Sequence, residues 1–214
     1  MNHDLFIKSL ESALGKDLPG TDVQWEMASS DRRIENYPRH KKKGSQLAAV
    51  LMLLYPYMDD IYTVFIQRPL YEGVHSGQIS FPGGKMEEGD RSLVETASRE
   101  ACEEISLCDN ELLILGMLTP LYIPVSDIEA SPVVAFCNYK PDLAPDKNEV
   151  VSIIEARLKD FLDPGIIKEK LMKIRDEEIM VKYFDHNGLV IWGATAMMLY
   201  ELLVILEREG IDIG

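Results

Sequence analysis

The sequence predicts an α/β-type fold, mixed strands around a few helices, in a single domain spanning 1–214. Three observations carry this expectation. The chain has 214 residues, 46% of them hydrophobic, which suffices for one substantial core and is tight for two. Short apolar runs bounded by turn residues alternate with segments of helical spacing, the pattern of strands interleaved with helices. No internal repeat, low-complexity tract or clear linker divides the sequence.

The elements follow in order. Phe6, Leu10, Ala13 and Leu14 recur at helical spacing, predicting a short amphipathic helix over 4–14 that Gly15, Pro19 and Gly20 end. Residues 28–46 are polar and carry Arg32, Arg33, Arg39, His40 and Lys41 to Lys43. A solvated loop is the plainer reading; the alternative is that some of these cations meet substrate phosphates. Residues 1–46 thus form a helix and basic loop ahead of a core over 47–214. The run LAAVLMLLY at 47–55 predicts a buried strand, and 61–68 a second, with Pro56 and Asp59-Asp60 in the turn. A glycine-rich stretch over 73–89 leads into a helix that starts near Leu93, where Ser92 and Glu95 fit a capping box. Its apolar face is Leu93, Val94, Ala97, Ala101 and Ile105. Further strands are expected near 112–118, 132–138 and 149–156, then a short helix at 158–162 and another at 166–175. Asn187-Gly188 lies between apolar runs at 179–184 and 189–192, a dipeptide suited to a two-residue hairpin turn. The last helix is expected over 194–208, with Trp192, Met197 and Met198 as core.

Lys and Arg number 22 against 36 Asp and Glu, a formal charge of −14. That balance disfavours sequence-independent binding to nucleic acid, whose phosphates need cationic neutralisation. It helps solubility and is compatible with carboxylates that hold a divalent cation. The odd set Cys102, Cys108 and Cys137 argues against a disulfide framework and predicts reduced thiols. The acidic start Met1-Asn2-His3-Asp4 is unlike a signal peptide, and the apolar stretch 189–206 is broken by Gly193 and Glu201. A soluble cytoplasmic protein without a membrane segment is the expectation.

The informative stretch is FPGGKMEEGDRSLVETASREACEEISL at 81–107. Glu100, Glu103 and Glu104 stand at i, i+3 and i+4 and project from one helix face, with Arg99 four residues before Glu103. Like charges so placed destabilise a helix unless something compensates them. A hard cation does so: Mg²⁺ takes oxygen ligands at roughly 2.1 Å and keeps several waters. Beside phosphates, such a cation neutralises charge and activates water. Gly83-Gly84 lets backbone approach closely where side chains would obstruct.

This arrangement resembles the Nudix box, G-x5-E-x7-R-E-U-x-E-E-x-G-U with U aliphatic, through Gly84, Arg99, Glu100, Ala101, Glu103, Glu104 and Leu107. Between Gly84 and Arg99 lie 14 residues where the pattern has 13, so its first Glu falls on Asp90 counting forward or on Arg91 counting back. Ser106 takes the place of the last glycine. Upstream, QRPLYEGVHSGQISFPGGK resembles the segment of Nudix enzymes that hydrolyse coenzyme A, through Arg68, His75, Gly77, Gln78, Phe81, Pro82, Gly83 and Gly84. Pro69 and Glu72-Gly73 depart from it. Asn148-Glu149-Val150-Val151 and Ile191-Trp192-Gly193 are also similar to that subfamily, so the likeness spans about 47–203.

The resemblance implies a Nudix fold, an α/β/α sandwich, and water attack on the diphosphate of coenzyme A (CoA). The products would be 4′-phosphopantetheine and adenosine 3′,5′-bisphosphate. It implies Mg²⁺ or Mn²⁺ held by Glu100, Glu103 and Glu104 with the Gly84 carbonyl, one glutamate serving as general base. Arg99 would orient a box glutamate. Arg68, His75, Gln78 and Gly83 would bind substrate, and Glu149 is the candidate distal acid. A small-molecule substrate is the expected partner, with no nucleic acid and no membrane, and a homodimer is left open. The alternatives are a Nudix diphosphatase for ADP-ribose, NADH or a dinucleoside polyphosphate, and a non-catalytic ligand-binding module.

Overall fold

The computed structural model describes residues 2–32, 38–70, 75–108, 112–174 and 176–214. Helix α1 (His3–Leu14) begins where the Asn2 side chain accepts from Leu5 N–H at 3.2 Å. Its buried residues are the four of the helical stripe, Phe6, Leu10, Ala13 and Leu14. A short α2 (Thr21–Gln24) follows.

β1 (Gln46–Tyr57) runs antiparallel to β2 (Asp60–Gln67). The turn is Met58-Asp59, both at positive φ, so Pro56 lies inside β1 and not in the turn. β3 (Ile79–Ser80) pairs with β2, and β4 (Gly83–Lys85) pairs antiparallel with β1. Helix α3 (Leu93–Ile105) starts as expected, with Ser92 Oγ accepting from Glu95 N–H. Only half of the capping box forms, because the Glu95 carboxylate turns to Arg91.

β5 (Leu113–Met117), β6 (Leu121–Ile123) and β7 (Ile128–Phe136) extend the sheet beyond β1, β7 running parallel to β1. The sheet order is β3-β2-β1-β7-β5, with β4 also on β1 and β6 also on β7. β7 starts earlier than its apolar run suggests. Pro132 sits where β7 changes antiparallel partner from β6 to β5, so on that side no ladder bond needs its missing N–H.

β8 (Ser152–Arg157) pairs with β2 and begins after Glu149, not at it. Short 3₁₀ turns span Leu158–Leu162 and Pro164–Ile166. Residues 166–175 are not the expected helix. β9 (Ile167–Ile174), β10 (Glu177–His186) and β11 (Leu189–Trp192) form a second, three-stranded sheet. Ile167, Leu171 and Ile174 have helical spacing, but Lys170, Met172 and Ile174 alternate at period two and β9 pairs along β10. Asn187 and Gly188 both take positive φ in the β10–β11 turn, as their identities predict. α4 (Gly193–Arg208) ends the fold.

Side chains of β1 alternate between two cores. Ala49, Leu51, Leu53 and Tyr55 face Ala97, Ala101 and Ile105 of α3. Ala48, Met52 and Leu54 face the opposite cluster, which holds α1 and the buried Met197, Leu199 and Leu202 of α4. The main sheet is therefore sandwiched between helices, as predicted. No described helix is long and apolar enough to cross a membrane.

Glu201 on α4 is fully buried, and four donors satisfy it: Gly20 N at 3.0 Å, Gln24 Nε2 at 2.8 Å, and Thr119 N and Oγ1 at 3.2 and 2.6 Å. It ties the N-terminal segment to the sandwich. Glu201→Gln replaces one acceptor by a donor facing donors. It is expected to lower the unfolding free energy by about 2 kcal/mol in chemical denaturation.

Against the expectation of reduced thiols, Cys102 and Cys108 form a disulfide with Cα atoms 4.5 Å apart. Ser106 explains their approach. It caps α3 in the left-handed region at φ 59°, folding the chain back across the last turn of the helix. The same conformation accounts for the glycine of the pattern at this position. Cys137 is buried.

Candidate active site

α3 presents its acidic face beneath β4, and two glycines set the spacing. Gly83 has φ 154°, and a Cβ there would come within 2.6 Å of Val50 Cα. A Cβ on Gly84 would overlap the Glu100 carboxylate. Both positions exclude side chains so that helix carboxylates can lie against the strand backbone.

Glu104 is 2% exposed; its Oε2 accepts from Gly83 N–H at 2.8 Å, and Arg68 Nη1 stands 3.7 Å from its Oε1. Burial pushes its carboxyl up to about 7, only partly offset by Gly83 and Arg68, while Glu100 and Glu149 raise it further. Burial likewise raises Glu100, against the pull of Arg99, with Glu103 and Glu149 adding to the rise. Glu149 is exposed. The segment carrying it docks on the C-terminal end of α3, where Ala144 and Asp146 N–H donate to the carbonyls of Ile105 and Glu104 at 3.1 and 2.9 Å. The distal acid therefore lies within electrostatic reach of the two buried ones.

Arg99 is the hub of the other side. Its Nε and Nη2 take the two oxygens of Asp90 at 3.0 and 3.1 Å. Nη1 reaches Glu100 and Glu103 at 3.0 Å each, and Nη2 also meets the Lys85 carbonyl at 3.0 Å. Asp90 accepts as well from Glu87 N–H and Thr96 Oγ1, both at 2.9 Å. Arg99 first, then these donors, hold its carboxyl far below the usual carboxylate range. Arg91 instead pairs with Glu95 on the surface, its side chain 87% exposed. Of the two registers open to the first acidic position, the structure therefore puts Asp90 beside Arg99.

Glu103 is 54% exposed and turned to Arg99. Among the described residues, no three acidic, histidine or cysteine side chains converge into a ready cage for an ion. Arg99 draws Glu100 and Glu103, while Gly83 and Arg68 draw Glu104. The donor set nevertheless suits a hard cation: carboxylate oxygens lie on desolvated groups that raise one another's proton affinity, against a backbone without side chains.

Beside this cluster the Arg68 N–H donates to the Gln78 carbonyl at 3.0 Å, and Arg68 Nε is buried with no partner among the described residues. Gln67, His75 and Gln78 line a cavity of about 1230 Å³ that extends to β11 and the start of α4. His75 has φ 69°, and its Nδ1 pairs with Gln78 Oε1 at 3.0 Å. Burial, with smaller contributions from Arg68 and Arg32, holds His75 below its ordinary value and so neutral at pH 7. Trp192 is half-buried on the cavity wall and not in the core. Met197 and Met198 are buried packing residues, as expected.

The basic stretch divides. Arg39 lies over the Trp25 ring at 4.5 Å and Lys41 pairs with Glu129 at 2.6 Å, so both are occupied by the fold. Arg32 is buried on the cavity wall. Arg33 and the departures Glu72-Gly73 lie outside the described residues.

Residues 46–182 match the NUDIX domain family. A Nudix hydrolase of Pectobacterium atrosepticum, NudL, is 32% identical over 140 residues, covering 63% of this chain and 70% of its own. The mitochondrial Nudix hydrolase 15 of Arabidopsis thaliana is 32% identical over 159 residues, and the match takes in 71% of this chain but only 55% of the plant protein. A MutT/nudix family protein of Enterococcus faecalis shares the fold, with TM-score 0.51 and 14% identity over 87% of this chain and 73% of that one.

Proposed function

The chain belongs to the Nudix hydrolase family, and from that premise we propose that it cleaves the diphosphate bridge of CoA or its acyl derivatives. The products are 4′-phosphopantetheine and adenosine 3′,5′-bisphosphate, and the cofactor is Mg²⁺ or Mn²⁺. The observation that carries this reading is the placement of Arg68. It stands 3.7 Å from buried Glu104, while its neighbour Gln67 and its backbone partner Gln78 line the large cavity. A diphosphate at the carboxylates can thus continue into a chamber large enough for a long substrate.

Glu100, Glu104 and the Gly84 carbonyl are the groups that would hold the cation, with Glu103 reached through Arg99. When bound, the cation would neutralise charge on the diphosphate and lower the barrier to attack by water. Arg99 fixes Glu100 and Glu103 by charge-assisted bonds anchored on Asp90. Arg68 is placed to carry diphosphate charge in exchange for its loose contact with Glu104. One of the box glutamates would take the proton from the attacking water. Gln78 and neutral His75 supply hydrogen bonds along the path into the cavity.

The test is turnover of CoA, acyl-CoA, ADP-ribose, NADH and dinucleoside polyphosphates with Mg²⁺ or Mn²⁺. The highest kcat/KM is expected for CoA or acyl-CoA. A larger value for ADP-ribose, NADH or a dinucleoside polyphosphate would transfer the assignment to that class, and no turnover of any would leave only ligand binding.

A further inference from the structure

We propose that Arg32, together with the N-terminus of α4, forms a binding site for a phosphomonoester at the far end of the cavity, separate from the diphosphate cleaved at α3. The inference rests on the preceding reading for its substrate and on different residues for its site. Arg32 is 9% exposed, and among the described residues its hydrogen-bond partner is the thioether of Met197, 3.1 Å from Nη1. No carboxylate among the described residues lies within ion-pair distance of it. A guanidinium taken out of water without an anion is costly to the fold. That cost is relieved if a ligand supplies the negative charge.

The second feature is the helix end on which Arg32 rests. α4 is 16 residues long, and its N-cap, Trp192, makes no side-chain hydrogen bond to the first turn. Gly193 and Ala194 border the same cavity as Arg32, and a Cβ at Gly193 would meet nothing within 4 Å. Uncapped N–H groups and the positive end of a helix dipole therefore face open space beside a buried cation. Arg68 and Arg32 both lie within electrostatic reach of His75, which lines that cavity. Asp176 and Glu177, exposed at the β9–β10 turn, also border the cavity, so the anion belongs away from them, at the Arg32 end; Asp31 on that wall accepts from Ser29 Oγ at 2.5 Å. The chemistry is that of a dianionic phosphate on a substrate whose diphosphate lies at Glu100 and Glu104.

Arg32→Met keeps side-chain length and removes the charge, and Arg32→Lys keeps the charge without the fork. Calorimetric titration with inorganic phosphate, without added metal, is expected to show at least tenfold weaker binding in Arg32→Met and an intermediate value in Arg32→Lys. The ratio of kcat/KM for CoA over dephospho-CoA, which lack of one phosphomonoester alone distinguishes, should fall at least tenfold in Arg32→Met through a rise in KM for CoA. Phosphate binding unchanged in folded Arg32→Met, or an unchanged substrate ratio, would overturn the proposal. If Arg32→Met does not fold, Arg32→Lys decides by the same two readings. Wild-type protein that hydrolyses neither CoA nor dephospho-CoA would sink the substrate assignment alone, because the phosphate titration needs no turnover.

Discussion

Glu104→Gln is expected to make the metal-free protein more stable at pH 8 while lowering kcat by two orders of magnitude or more. The two effects share one cause. Glu104 is 2% exposed, and burial raises its carboxyl from 4.5 to about 7. A raised carboxyl favours the protonated form in the fold. The stability linked to that form is complete below about pH 4.5 and is lost as pH rises through about 7. Glutamine stays neutral and can still accept from Gly83 N–H, so it avoids the loss. The shift corresponds to at most about 3 kcal/mol at high pH. Denaturation of both proteins at pH 5 and pH 8 should show a gap that opens with pH in favour of the variant. A variant less stable than wild type at pH 8 would mean that Glu104 serves the fold. Activity should fall because glutamine is a weaker ligand for the cation. Glu103→Gln should lower kcat as well, with little change in stability, since Glu103 is half exposed.

Arg99→Lys should cost about 2 kcal/mol of stability and lower kcat roughly tenfold to a hundredfold. A lysine offers a point charge where Arg99 presents a planar fork to Asp90, Glu100, Glu103 and the Lys85 carbonyl together. Its side chain is 23% exposed and that of Asp90 only 6%, so the pair is partly desolvated and more than a surface ion pair. A double-mutant cycle with Asp90→Asn should show a coupling of at least about 1 kcal/mol. Additive effects would show that Asp90 does not anchor Arg99. Cleavage should suffer through Glu100, which loses its orienting partner.

Much of the sandwich was legible because its signals are local. The run at 47–55, the Ser92 cap and Asn187-Gly188 each constrain a few residues by their own chemistry, and the structure follows them. Residues 167–174 were not legible. Their apolar spacing fits a helix, and only pairing with β10, a tertiary fact, makes them a strand. Pro132 hid the start of β7 because its tolerance depends on which neighbour lies beside it.

At the site, Glu100, Glu104 and the two glycines could be read from motif and spacing. The inserted residue left two registers for the first acid, and only the contact with Arg99 separates Asp90 from Arg91. Glu149 reaches the carboxylates through a loop docked on α3, which spacing could not show. Arg32 stood in a polar stretch beside Arg39 and Lys41, and nothing in its neighbours distinguishes the buried cation from the surface ones.

The most direct test is anomalous diffraction from crystals soaked in Mn²⁺. The expected result is a peak within about 2.5 Å of carboxylate oxygens of Glu100 and Glu104, near the Gly84 carbonyl, that disappears in Glu104→Gln. A saturating soak that leaves this position without a peak, or a peak that survives Glu104→Gln unchanged, would contradict cation-assisted cleavage at α3.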